Sequence, residues 1–185
     1  MILYHGSRKV FNKFKHEFWE TGEGAGQDVF GFWFVDNPQG AGNHADNYVR
    51  SEKGEPYVYV CEIPEDAPTL KRGVPVREQA HHEHWNTHLP LSLSVHDQEA
   101  DWFENLFSSR AYNAERYSDR QKLIALCDAG FVAVHDFELC HTDNYLHGRS
   151  TIIMDVEMIN ILDRVHTHSE QYKQMKKEFW ERRYQ

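Results

Sequence analysis

The sequence lacks any cysteine pattern that would indicate a disulfide framework or a zinc ribbon. Its three cysteines, Cys61, Cys127 and Cys140, are odd in number and none belongs to a Cys-x-x-Cys pair, so we expect reduced thiols. No run of about 18 apolar residues occurs, which a membrane-spanning helix requires. The opening residues also lack the basic start and apolar stretch of a signal peptide. These absences predict a cytoplasmic protein with no membrane partner.

Basic residues are in the minority. The chain has 20 lysines and arginines against 29 acidic residues, a formal net charge of −9, which disfavours a nucleic-acid partner without excluding one. Its 185 residues, 40% hydrophobic and 26% charged, fit one folded domain covering 1–185.

The hydrophobic pattern predicts strands separated by irregular helices and loops. The predicted strands are 2–5, 29–35, 57–63, 131–135 and 151–156, where β-branched and aromatic residues are dense. The predicted helices are one beginning after Asn37 and Pro38, then 96–107, 111–129 and a charged C-terminal helix at 169–185. Because strands and helices do not alternate regularly, the pattern favours an α+β fold over a doubly wound parallel sheet.

Two segments resemble ligand sites only superficially. The glycines of TGEGAGQD at 21–28 have no clear strand before them or helix after them, so a loop is favoured over a dinucleotide fingerprint. The tract HHEHWNTH at 81–88 places His84 and His88 one helical turn apart, a spacing that suits zinc. Since the HExxH order is absent, we favour a solvated or target-facing loop and predict no metal site.

The strongest candidates for functional residues lie near the start of the chain. In YHGS, His5 ends a predicted strand, and Gly6 allows close approach of the backbone to a ligand. The segment GFWFVDNPQGAGNHADNY then places Trp33 and His44 on a predicted strand and the helix after it. Aromatic faces in such an arrangement can stack on a planar cation, while alternate residues of the strand face the core.

These motifs resemble the ADP-ribosyltransferases of the diphtheria-toxin and poly(ADP-ribose) polymerase type. That family has an HG pair on its first strand, similar to His5 and Gly6, and a G-[IF]-[YW]-F-[ATV]-[DN] strand, similar to GFWFVD at 31–36. A second nicotinamide-stacking aromatic often lies eleven residues after the first, where this chain has His44. The stretches GFVAV at 130–134 and TIIMDVEMINIL at 151–162 are similar to the family's last strands, so the resemblance covers about half of the chain.

The resemblance implies a split, mostly antiparallel sheet with peripheral helices that binds NAD as a substrate without a metal. It implies that His5 binds ribose hydroxyls, that the Gly6 backbone holds the carboxamide, and that Trp33 and His44 sandwich the nicotinamide. The remaining residues of the implied NAD site are Ser7, Gly31, Phe34 and Tyr48.

The chain departs from the family pattern at Ser150, where the family usually has a glutamate. A serine cannot act as a general base or stabilise an oxocarbenium charge. Asp143 or Glu138 in the preceding loop is therefore expected to supply the carboxylate, with Asp143 ranked first, unless the reaction is lost or changed. Arg149 and His147 in the same loop are candidates to meet a phosphate or an acceptor.

The expected activity is NAD-dependent mono-ADP-ribosyl transfer to a macromolecule, more readily a protein than a nucleic acid. The unmatched region 71–129 is expected to be a helical insertion that selects this acceptor. A catalytically altered module that binds NAD, ADP-ribose or a partner, and an NAD glycohydrolase, are the alternatives. The resemblance leaves open whether the biological role is that of a toxin, an antidefence factor or a regulator.

Overall fold

The computed structural model describes residues 1–18, 29–47, 53–83, 102–107, 118–138 and 148–183. Within these ranges seven strands form one sheet in the order β4-β5-β6-β2-β1-β3-β7. All neighbouring strands are antiparallel except the parallel pair β4 and β5. The strands are β1 (Ile2–Ser7), β2 (Phe32–Val35), β3 (Tyr57–Glu62), β4 (Thr69–Lys71), β5 (Ala133–His135), β6 (Ser150–Ile153) and β7 (Asn160–His166).

In the described residues four α-helices accompany the sheet: α1 (Pro38–Asp46), α2 (Trp102–Phe107), α3 (Asp119–Asp128) and α4 (Glu170–Arg183). Helix α1 begins as predicted, because the Asn37 side chain accepts a hydrogen bond from the Gln39 backbone and Pro38 occupies the first turn. Helix α3 begins with a capping box between Ser118 and Gln121. The predicted C-terminal helix is confirmed over the described residues.

The sheet has a hydrophobic cluster on each half of one face and a third cluster on the other face. On the first face, α2 and α3 cover β4, β5 and β6, while α1 and α4 cover β1, β3 and β7. Trp33 and Tyr4 point to this face. The opposite face is covered by Phe14 and by Val156 and Ile159, which pack on Leu3 and neighbouring residues. Side-chain alternation along each strand thus separates the two cores.

The structure differs from the strand predictions at three places. The strand predicted at 151–156 ends at Ile153, because the Asp155 side chain accepts a hydrogen bond from the Glu157 backbone and begins a short 3-10 helix. The hydrophobic pattern did not predict strand β7, since it is an edge strand whose residues are mostly exposed and polar; the family resemblance reached only its first residues, 160–162. Strand β4 was also missed, because three residues carry too little periodicity to detect.

The described part of the region 71–129 belongs to the main core. Trp102 and Leu106 of α2 and Leu123 of α3 are fully buried, and they share a cluster with Val134 and Ile152 of the sheet. Residues 96–101 and 111–117 of the predicted helices lie outside the described residues. No helix in the described ranges is long and apolar enough to cross a membrane.

Candidate functional site

Pairing between the neighbouring strands β1 and β2 is limited to one position. Strand β1 pairs with β3 over six residues, from Ile2 to Ser7, but its register with β2 consists of the one pair Tyr4 and Val35. Beyond that pair a side chain replaces backbone pairing, since the His5 Nδ1 lies 2.8 Å from the Trp33 carbonyl oxygen. The His5 imidazole therefore bridges an unpaired stretch, called the gap below, between the backbone of the HGS motif (5–7) in β1 and Trp33 in β2.

Aromatic rings surround the His5 imidazole and hold it in its neutral form. Burial lowers the pKa of His5 to about 4, the hydrogen bond to the Trp33 carbonyl partly opposes this, and the nearby His44 lowers the pKa further. The residues whose rings contact the imidazole are Phe11, Phe14, Phe32, Phe34 and Tyr59. Near neutral pH this histidine is uncharged.

The Trp33 carbonyl also fixes the tautomer of His5. A carbonyl oxygen can only accept, so Nδ1 carries the proton and Nε2 has the lone pair. Among the described residues none hydrogen-bonds Nε2, and the residue remains partly exposed. His5 thus presents an acceptor suited to a hydroxyl group of a ligand, in a chemically defined orientation.

Gly6 and Ser7 shape the end of β1. A Cβ on Gly6 would lie 2.0 Å from the Ala41 carbonyl oxygen, so glycine is required for α1 to pack directly on β1. The Ser7 hydroxyl accepts a hydrogen bond of 3.1 Å from the Lys9 backbone. Both residues lie in the part of β1 that has no register partner in β2.

The residues of the second motif are divided between the two faces of the sheet. The Trp33 indole packs edge-on against Phe137, with ring centroids 5.5 Å apart, on the face opposite the aromatic rings around His5. The structure therefore does not bring the indole and the imidazole into contact. It does confirm that alternate residues of β2 serve different faces.

Four further residues of the implied NAD site are packed within the sheet, exposed on α1 or outside the described chain. Phe34 is 1% exposed and its side chain packs in the hydrophobic core, so its contact with NAD stays a prediction without support from this packing. Gly31 has φ +129 and backs onto Ile153, where a Cβ would lie 2.7 Å from a carbonyl oxygen, so this packing requires glycine. His44 is exposed on the last turn of α1, and Tyr48 lies outside the described residues.

Ser150 and Glu138 are joined directly. The Ser150 side chain is buried, and its hydroxyl accepts a hydrogen bond of 2.8 Å from the Glu138 backbone N–H. Glu138 follows Phe137, the residue that packs on Trp33, and is itself partly exposed. Ser150 thus fixes the backbone of Glu138 at the end of the described segment 118–138. Asp143, the other proposed carboxylate, lies outside the described residues.

A backbone clamp joins the end of β2 to the start of β6. The Asp36 carboxylate accepts a 2.8 Å hydrogen bond from the Arg149 N–H, and the Asp36 N–H donates to the Arg149 carbonyl at 3.1 Å. Gly148, at φ +75, fits tightly against Asn37. The sequence pattern pointed to Arg149 only for its charge, although the Asp36 carboxylate and Gly148 are the residues that form this clamp.

His135 was also missed as a polar group of the sheet. Its Nδ1 lies 2.7 Å from the Thr151 hydroxyl on β6, and burial lowers its pKa, against the opposing charges of Asp136 and Asp36. The alternation in FVAVH was the available signal. Within the described ranges, no group of three or more metal-ligating side chains is assembled; His84 to His88 lie beyond those ranges.

Comparisons with known proteins identify no relative of this chain: no family model, no curated protein and no solved structure matches it.

Proposed function

We propose that the protein is a mono-ADP-ribosyltransferase that uses NAD as a substrate. The observation that carries the proposal is the gap between β1 and β2, where His5 is neutral, has a fixed tautomer and presents Nε2 as an acceptor. A ribose hydroxyl can donate to this nitrogen. The likeness of the HGS and GFWFVD motifs to NAD-dependent transferases supports NAD as the source of that ribose.

The proposed reaction breaks the bond between nicotinamide and C1′ of its ribose. The bonding electron pair leaves with the nicotinamide nitrogen, which neutralises the pyridinium charge, and positive charge develops on the ribose. An acceptor nucleophile then forms the new bond to C1′ and gives its proton to a carboxylate. The chain's own contribution is to hold the ribose at His5 and to place a carboxylate near it.

Glu138 is the proposed carboxylate. Ser150 stands where the similar family usually has a glutamate, and its hydroxyl accepts a hydrogen bond from the Glu138 backbone. The Glu138 side chain would therefore supply the carboxylate in place of residue 150. Of the hydrogen bonds among described residues, none engages the Glu138 carboxylate, and the residue is partly exposed. Asp143 is the alternative source. The proposed acceptor is a protein more readily than a nucleic acid, because the net charge of −9 repels a polyanion, and the proposed location is the cytoplasm.

Labelled NAD incubated with the purified chain and a host-cell lysate tests the proposal. We expect label to enter macromolecules, and we expect His5→Asn and Glu138→Gln to abolish this. Glu62→Gln is the matched control, because Glu62 is an exposed carboxylate at the end of β3, and it should label normally. Label transfer that persists in His5→Asn contradicts the proposed site.

A second candidate function is favoured by the hydroxyl at Ser150. Because this buried side chain is not a carboxylate, the same gap suits a module that binds NAD or ADP-ribose without transfer. Binding of NAD with no release of nicotinamide supports the module. Release of nicotinamide without labelled acceptor supports an NAD glycohydrolase, with water as the nucleophile.

A further inference from the structure

The bend that follows β5 holds one residue in an uncommon backbone conformation. Strand β5 ends at His135, and the next residue, Asp136, has φ +60, in the left-handed region that residues other than glycine rarely adopt. Such a conformation costs free energy and persists only where the surrounding structure holds it. Glu138, the proposed carboxylate, follows two residues later, so the position of its backbone depends on this bend.

Arg72, the first residue after β4, holds the bend from one side. Its backbone N–H donates to the His135 carbonyl at 3.2 Å, and its guanidinium Nη1 donates to the Phe137 carbonyl at 3.0 Å. These two carbonyls belong to the residues on either side of Asp136. A single residue therefore fixes the backbone both before and after the left-handed position.

Strand β6 holds the bend from the other side. The Ser150 carbonyl accepts a hydrogen bond of 3.2 Å from the Phe137 N–H, and the Ser150 hydroxyl accepts one of 2.8 Å from the Glu138 N–H. The peptide group that joins Phe137 to Glu138 is thus bound at both ends, at its carbonyl by Arg72 and at its N–H by Ser150. Because a peptide group is planar, binding both ends fixes its orientation.

Helix α2 fixes the Arg72 guanidinium in turn. The guanidinium lies over the Phe103 ring, 4.0 Å from its centroid, and its other terminal nitrogen pairs with the Glu104 carboxylate. The Arg72 side chain is only 16% exposed, so its contacts are mostly with the protein. A planar guanidinium can stack on a ring and donate hydrogen bonds along its edge at the same time.

We infer that Arg72 is a positioning residue that keeps Asp136 in its left-handed conformation and thereby sets the position of the Glu138 backbone. The inference rests on the proposed function for the role of the Glu138 carboxylate, whereas the hydrogen bonds of Arg72 to the bend do not depend on it. Arg72 and α2 fall within the region 71–129, which was expected to select the acceptor. The inference gives this region a part in the reaction itself.

Arg72→Lys is the decisive variant, because lysine keeps the charge and the backbone N–H but lacks the planar fork that stacks on Phe103 and binds the Phe137 carbonyl. In the labelled-NAD assay we expect kcat to fall by up to about a hundredfold, since a small displacement of a catalytic group has an effect of this size. The KM for NAD should be retained. A rise in KM with kcat unchanged, or no change in either, overturns the inference.

The matched control is Arg182→Lys on α4. The Arg182 Nε also donates to a backbone carbonyl, that of Glu178 at 3.2 Å, but it lies on the helix that covers the other half of the sheet. We expect its kcat and KM to equal those of the parent. An equal loss of kcat in Arg182→Lys and Arg72→Lys contradicts a role that is specific to the bend.

A glycine at position 136 separates support of the bend from a general loss of packing. Glycine adopts φ +60 without strain, so the bend then needs less support from Arg72. We expect Asp136→Gly, introduced into Arg72→Lys, to restore most of the lost kcat. A double variant that is no more active than Arg72→Lys shows that Arg72 does not act through the conformation of residue 136.

Hydrogen exchange of the Glu138 amide, followed by NMR, reports on the bend without any reaction. We expect Arg72→Lys to speed this exchange about tenfold, as the loss of a hydrogen bond from a charged donor should, with the remaining amide spectrum showing a folded chain. Unchanged exchange overturns the inference. If the parent chain transfers no ADP-ribose but the exchange is faster in Arg72→Lys, the proposed function fails while the hold of Arg72 on the bend stands.

Discussion

The neutral state of His5 predicts a specific loss of stability in acid. In the folded chain the pKa of His5 is lowered to about 4, against 6.5 for an ordinary histidine. The unfolded chain therefore takes up a proton near pH 6.5, whereas the folded chain resists protonation until about pH 4. Above pH 6.5 both states are neutral and the full stability is present; it is lost as the pH falls from 6.5 toward 4.

The pKa difference sets the size of the effect. At 1.36 kcal/mol per pKa unit, a fall from 6.5 to about 4 corresponds to about 3.4 kcal/mol of unfolding free energy. This is an upper value, because His5 is partly exposed. A loss of this size is a large share of the stability of an ordinary domain.

His5→Asn is the informative substitution. The asparagine amide nitrogen is as many bonds from Cα as Nδ1 is, so it can donate to the Trp33 carbonyl, as Nδ1 does at 2.8 Å. The side chain does not titrate. We expect the variant to lose less stability than the parent on acidification from pH 7 to pH 4, by up to about 3.4 kcal/mol.

Urea unfolding followed by fluorescence of the five tryptophans, at several pH values, gives the two stability profiles. Subtracting one profile from the other removes the contribution of carboxylates common to both. Parallel profiles contradict the lowered pKa of His5, since they show that His5 protonates in the folded chain as readily as in the unfolded one.

Other predictions follow from the packing around α1 and from the thiols. Gly6→Ala should destabilise the chain by ~2–3 kcal/mol in urea unfolding, because its Cβ would overlap the Ala41 carbonyl; an unchanged midpoint contradicts this packing. Tyr172→Phe should cost about 1–2 kcal/mol, since the buried hydroxyl donates to the Pro38 carbonyl at 3.0 Å; a smaller cost shows that the carbonyl finds another donor. Burial raises the pKa of the Cys61 thiol to about 12, so mass spectrometry should find it unlabelled by thiol reagents in the folded chain and labelled in urea.

Some strands and helix ends of this fold could be predicted from the residue types within short segments of the sequence. The dense β-branched and aromatic residues of β2 and β3 predicted strands, and Asn37 followed by Pro38 predicted the start of α1. The polar edge strand β7 and the short β4 have no such signal. Their pairing depends on neighbours distant in the chain.

The candidate residues near the start of the chain can be recognised from HGS and GFWFVDN alone, because these are local patterns of residue type. Which of these residues meet depends on the folded chain. It placed the His5 ring against the Trp33 carbonyl rather than the indole, buried Phe34, and brought the Glu138 backbone to Ser150. Such contacts depend on strand register and on the face to which each side chain points, and a shift of one residue would reverse them.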